Sequence, residues 1–141
     1  MSLYLDTSCL LKLFFVEPES ARVGELVTRE PQVIISTLAR LEAAQCLLAA
    51  RLAGDISRVQ HGRLTSRMAE MLQTSPFEVA EFPAAAVSAS ERQSLRGVYC
   101  RTLDRLHLGV MEELGLRRLL TNDDQQAAAA RALGFEVLMP R

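Results

Sequence analysis

Apolar residues fall into short runs separated by longer stretches of helical period. Leu3-Tyr4-Leu5 is a brief run before an aspartate and predicts a first strand. Val33-Ile34-Ile35 is β-branched throughout and predicts a second, buried strand. Residues 77–82 (FEVAEF) alternate apolar and polar with period two until Pro83, which predicts a third. Residues 116–121 and 136–138 are the last two strand candidates. Helical patterns lie between them. Residues 20–29 give a weak one. Residues 37–53 give a strong one, capped by Ser36 or Thr37 and stopped by Gly54. Asp55 or Ser57 caps the next, which runs to about residue 74. Residues 84–96, 99–114 and 124–133 give three more, ended near Gly97, Gly115 and Gly134. Strands alternating with helices predict an α/β three-layer sandwich, with a short, mostly parallel central sheet flanked by helices. No linker, repeat or low-complexity stretch interrupts the pattern, so residues 1–141 are read as a single domain.

Composition adds limits. Of 141 residues, 49 % are hydrophobic and 5 % aromatic, enough for one core without disulfides or a structural metal. The net charge of −1, from 16 basic and 17 acidic residues, shows no basic excess of the kind nucleic-acid binders usually carry, though a local patch can hide in a neutral total. Cys9, Cys46 and Cys100 are odd in number, far apart and without metal-ligand spacing, and are read as small core residues. The N-terminus has no basic segment followed by a long apolar stretch, and no apolar run approaches the roughly 20 residues that span a bilayer. The expectation is a cytoplasmic protein with reduced thiols and no membrane contact.

The scarce aspartates carry the chemistry: Asp occurs only at positions 6, 55, 104, 123 and 124. Asp6 follows the first strand, and Asp123 follows the strand ending near Leu120. Parallel α/β sheets bind ligands beyond the carboxyl ends of their strands. Ser8 and Thr121 add hydroxyls that can hold a carboxylate. Glu42 lies mid-helix on the face of Leu38, Gln45, Cys46 and Ala49, so it should be partly buried and must be paired, protonated or metal-bound. Arg40 or Arg51 is its ordinary ion-pair alternative. Asp104 shares a face with Cys100, Leu108 and Met111; Arg101 and Arg105, nearer solvent, are its ordinary partners. Asp55 is read as a helix cap. Asp124 falls in the first turn of the last helix, where Asn122 or Asp123 caps and acids suit the helix dipole. Acids crowded at one edge are tolerable with a divalent cation among them, and oxygen-only ligands select Mg²⁺ or Mn²⁺ over Zn²⁺. Two such ions roughly 3.5–4 Å apart can activate a water and stabilise the leaving oxygen of a phosphodiester.

Four segments then resemble one family. LYLDTSCLLKLF is similar to the opening of the PIN-domain ribonucleases, in particular the VapC-type toxins of bacterial toxin–antitoxin pairs. STLARLEAAQCLLAARLAG resembles their second motif with Glu42, TLDRLHLGVMEELG the third with Asp104 and His107, and LLTNDDQQAAAARALGFEV the closing one with Thr121, Asn122 and Asp123. The resemblance implies that Asp6, Glu42, Asp104 and Asp123 are the catalytic, metal-binding acids, with Ser8 and Thr121 supporting. Asp124 would help with a second ion. It implies one or two Mg²⁺ (or Mn²⁺) ions and an RNA substrate cut to a 5′-phosphate and a 3′-hydroxyl. It also implies a homodimer and a cognate antitoxin protein. His107 is expected to pack or hydrogen-bond. With Lys12 the only lysine, RNA grip falls to arginine, with Arg40, Arg101, Arg105, Arg117 and Arg118 near the motifs. Two departures stand out: Arg105 where members often have Ala, and Asp124-Gln125-Gln126 where they are often basic.

Two other classes remain as alternatives. One is a phosphotransfer domain using Asp6, but the second Asp of dehalogenase-like enzymes is here Ser8, and no lysine follows Lys12 to complete a receiver. The other is a catalytically weak PIN-like module that binds RNA or protein.

Overall fold

The computed structural model describes all 141 residues. Five strands, β1 (Leu3–Leu5), β2 (Val33–Ser36), β3 (Phe77–Ala80), β4 (Arg118–Leu120) and β5 (Glu136–Leu138), form one sheet in the order β3-β2-β1-β4-β5. Every neighbouring pair is parallel, so the mostly parallel sheet expected from the alternation is parallel throughout. The seven helices are α1 (Thr7–Lys12), α2 (Ser20–Thr28), α3 (Thr37–Leu52), α4 (Arg58–Leu72), α5 (Ala86–Leu95), α6 (Thr102–Leu114) and α7 (Asp124–Ala132).

The central strand shows why both faces must be covered. Successive side chains point to opposite faces of a sheet. Leu3 and Leu5 join one buried cluster with Leu10, Val23, Val27, Ala43, Leu47 and Met68 from α1–α4. Tyr4 joins a second with Ala86, Leu108, Met111 and Ala130 from α5–α7. All three residues of β1 are therefore buried, and its sequence is a continuous apolar run instead of an alternation. The two helical layers lie on opposite faces, and the carboxyl ends of all five strands share one edge.

Several element boundaries differ from expectation for local reasons. Helix α1 has too few turns to show a period in the sequence. It forms because Asp6 caps it, its side chain accepting the Cys9 N–H. Helix α4 starts from Ser57, not Asp55: Ser57 and Gln60 form a reciprocal capping box, at 3.0 Å and 2.7 Å. Helices α5 and α6 start at Ala86 and Thr102, later than residues 84 and 99. Cys9 and Cys100 are buried as expected, but Cys46 is exposed, because the buried stripe of α3 runs through Ala39, Ala43 and Leu47.

Helices α5 and α6 cross very closely at Gly109. A Cβ there would lie 2.5 Å from the Ala86 carbonyl oxygen and closer still to Ser90 Oγ. Only glycine admits that approach, and it fixes the height at which α6 presents its first two turns. No helix is long and apolar enough to cross a membrane.

Candidate active site

Asp6 ends β1 at the carboxyl edge and is 4 % exposed. Its Oδ1 accepts the Cys9 N–H at 2.9 Å, its Oδ2 accepts Thr121 Oγ1 at 2.7 Å, and Ser8 Oγ lies 2.9 Å from both oxygens. No cationic side chain pairs with it. Burial raises its carboxyl above the usual range, and the bonds from Cys9, Thr121 and Ser8 offset this only in part. With both oxygens engaged and almost no exposure, Asp6 is poorly presented as a phosphoryl-accepting nucleophile.

Glu42 projects from the second turn of α3. Neither Arg40 nor Arg51 pairs with it; the partner is His107. The Glu42 Oε1 accepts Thr7 Oγ1 at 2.7 Å and lies 2.5 Å from His107 Nε2. Burial pushes this carboxyl up, but the bond and charge of His107 together with the Thr7 hydroxyl outweigh it and hold Glu42 below the usual range.

Asp104 sits in the first turn of α6, and Asp123 caps α7 by accepting the Gln126 N–H at 2.7 Å. Arg101 bridges the two: its Nε is 3.1 Å from Asp104 and its Nη2 is 2.7 Å from Asp123. Burial raises the Asp104 carboxyl, and the charge of Asp123 adds to that against the pull of Arg101. Arg101 is 64 % exposed, so water screens its hold on both acids.

Asp6, Glu42, Asp104 and Asp123, from four separate segments, thus line one cavity of about 230 Å³ together with Thr7, Ser8, Arg101 and His107. Thr121 braces Asp6 and accepts the Asp123 N–H at 3.1 Å. Asp124 lies outside: it is 77 % exposed and pairs with Arg141 at 2.7 Å. The arginines expected to grip RNA mostly go elsewhere. Arg105 is not solvent-facing but 6 % exposed, donating to Gln93 Oε1 at 3.2 Å and to the Val98 carbonyl, which pins the α5–α6 loop. Arg118 begins β4, at the edge opposite the acids, where it forks onto Glu30 at 2.8 Å. Arg117 donates to the Gly134 carbonyl at 2.8 Å and lies over the Phe135 ring. Only Arg101 of the five lines the acidic cavity. Thr7 is the partner that sequence spacing misses; its only signal is its place next to Asp6.

The donor set suits a hard divalent cation. All the acids offer oxygen, and four carboxylates face a single guanidinium and an imidazole. Asp6 has no ion-pair partner, and the charge of His107 only partly offsets its burial. No three His, Cys, Asp or Glu side chains are grouped to enclose an ion directly. The reason is visible: Arg101 spans Asp104 and Asp123, while Asp6 and Glu42 turn toward hydroxyls and the imidazole. Mg²⁺, which keeps several waters of its own, fits carboxylates spaced this widely. Arg101→Ala removes the competing cation and is expected to tighten Mn²⁺ binding about three- to tenfold, the size of a partly exposed ion pair. Calorimetric titration without RNA checks this; unchanged or weaker binding would mean Arg101 does not compete.

Residues 3–132 match the PIN domain family. The chain belongs to that family. Along 99 % of its length, and 98 % of the relative's, it is 34 % identical to Ribonuclease VapC46 of Mycobacterium tuberculosis (strain ATCC 25618 / H37Rv). Family and relative together support a ribonuclease. The fold also matches two solved structures. One is Mycobacterium tuberculosis VapC20, a Sarcin-Ricin loop cleaving toxin (TM-score 0.70, 19 % identity, 94 % of this chain and 95 % of that one). The other is a toxin-antitoxin complex from Klebsiella pneumoniae (TM-score 0.66, 22 % identity, 100 % and 98 %).

Proposed function

We propose that this protein is a Mg²⁺- or Mn²⁺-dependent ribonuclease and the toxin of a toxin–antitoxin pair. The observation that carries the reading is the meeting of Asp6, Glu42, Asp104 and Asp123 in one cavity at the carboxyl edge of a parallel sheet. PIN-domain membership and the VapC relative support the same chemistry. Asp6, Asp104 and Asp123 would hold one or two ions, with Glu42 beside them. When bound, the cation supplies a nucleophilic water at neutral pH and charge stabilisation for the leaving oxygen of the phosphodiester.

The chain's own residues do the remaining work. Ser8, Thr121 and the Cys9 amide fix the orientation of Asp6 before any ligand arrives. Glu42 stays anionic at neutral pH and accepts a hydrogen bond from the attacking water. Arg101, mostly exposed and bridging Asp104 and Asp123, would be free to contact a phosphate of the RNA if a cation took its place on the acids. A cognate antitoxin protein would block this cavity, as suits a chain whose fold matches a toxin-antitoxin complex, and the family resemblance favours a homodimer.

Purified protein incubated with a synthetic RNA, with and without Mn²⁺ or Mg²⁺, tests the reading. Cleavage is expected only with the ion, ending in 5′-phosphate and 3′-hydroxyl. Cleavage that persists in chelator, or none with any RNA tried, would sink it.

A further inference from the structure

A buried polar chain runs behind the acids and ties together the segments that carry them. Tyr4 Oη, on β1, lies 2.9 Å from Ser36 Oγ and 2.6 Å from His107 Nδ1. The other ring nitrogen of His107, Nε2, meets Glu42 Oε1 at 2.5 Å and lies 3.3 Å from Thr7 Oγ1. Tyr4, Ser36 and His107 are all at most 2 % exposed. The Tyr4 and His107 rings also touch, centroids 5.7 Å apart and tilted by 57°.

Each link falls on a segment that bears an acid. Tyr4 is two residues before Asp6, on the same face of the strand. Ser36 caps α3, the helix of Glu42, by accepting the Ala39 N–H at 3.2 Å. His107 is three residues after Asp104, on the same side of α6. Thr7 opens α1 directly after Asp6. The chain is therefore a cross-brace joining β1, α1, α3 and α6 beneath the cavity.

Both bonds to Glu42 land on one oxygen, Oε1. That leaves Oε2 for the cavity that Glu42 lines. A glutamate has three side-chain torsions, so an unbraced Glu42 would sample several rotamers. Two short bonds to groups that are themselves fixed remove that freedom. We propose that His107, its ring set by Tyr4, is the positioning residue for Glu42: it fixes Oε1 so that Oε2 faces the reacting phosphodiester. This rests on the ribonuclease reading of the same cavity. His107 touches neither substrate nor ion in this role.

Kinetics and spectroscopy test it together. His107→Ala is expected to lower kcat on the order of 10²-fold, the cost of a reacting group misplaced by about 1 Å, with the KM for RNA changed less than about twofold. His107→Gln puts an amide N–H where Nε2 stood and is expected to recover most of kcat. Tyr4→Phe keeps the ring packing, frees the imidazole and is expected to fall between. Val27→Ala, remote in the other layer, costs stability without touching the brace and should keep wild-type kcat. In the ion-free protein, ¹⁵N-labelled His107 should show a protected downfield Nε2–H resonance. It should move in Glu42→Gln and again on adding Mg²⁺. A brace that serves only stability would leave the resonance unmoved by Mg²⁺ and make activity follow thermal stability in every variant, Val27→Ala included. Either result, or wild-type kcat in His107→Ala, overturns the proposal. An inactive wild type that still shows the protected resonance moved by Mg²⁺ would count against the ribonuclease reading and leave the brace standing.

Discussion

Asp6→Asn should abolish RNA cleavage, by at least about 10³-fold, and yet give an ion-free protein that melts at a higher temperature than the wild type. The activity loss follows from the proposed role of Asp6 in holding the cation, a contribution to the transition state on the order of several kcal/mol. The gain in stability follows from burial. Asp6 is a buried carboxyl with no ion-pair partner, and asparagine caps a helix as well as aspartate does. The sign is set by the raised carboxyl: folding costs free energy whenever Asp6 is ionised. The advantage of Asn is therefore full above the folded-state value, shrinks as pH falls toward the usual carboxylate range, and vanishes below it. Mg²⁺ should close the gap by raising the wild-type Tm and not that of the variant. Calorimetry at neutral and acid pH, with and without Mg²⁺, reads all of this. A wild type more stable than Asp6→Asn at neutral pH without ions would show that the hydroxyls and amide around Asp6 already compensate its charge.

The second large effect is expected far from the acids. Gly109→Ala drives a methyl into the Ala86 carbonyl and Ser90 Oγ, both on the facing helix, and one of them is backbone that cannot turn aside. Overpacking of this kind costs about 2–3 kcal/mol, or roughly 5–10 °C in Tm for a chain of this size. If α6 is displaced to relieve the clash, Asp104 and His107 move with it, and kcat should fall on the order of 10²-fold. Gly62→Ala is the matched comparison. It sits mid-helix in α4 with open space around its Cβ and should gain about 0.5–1 kcal/mol, with kcat unchanged. Equal stability of the two variants would mean the α5–α6 crossing relaxes at no cost.

These two sites mark where the sequence could and could not be read. Strands and long helices were legible because β1 and β2 are apolar runs, α3, α4 and α7 carry side-chain caps, and glycines follow α3, α5, α6 and α7. Short α1 was not, since six residues hold too little period and its cap is the same aspartate that the site uses. The acids were legible one by one, from strand ends and from helical faces too apolar for a carboxylate. Their partners were not. Arg105 reads as a solvent charge next to Asp104, yet it turns inward to hold the α5–α6 loop. Arg118 lies close in sequence to Asp123 but at the opposite end of β4. Spacing reports which face of one element a residue occupies. It says nothing of which residue from another element arrives there, and so the Tyr4–His107–Glu42 contact, across about a hundred residues, left no trace.

The order of the acids along the chain has its own consequence. Asp6 and Glu42 precede the turn between α4 and β3, while Asp104 and Asp123 follow it, so that turn divides the set in half. Neither fragment released by a nick there would hold a working centre, and catalysis would return only when both reassemble across the sheet, which makes this protein a natural candidate for a split reporter.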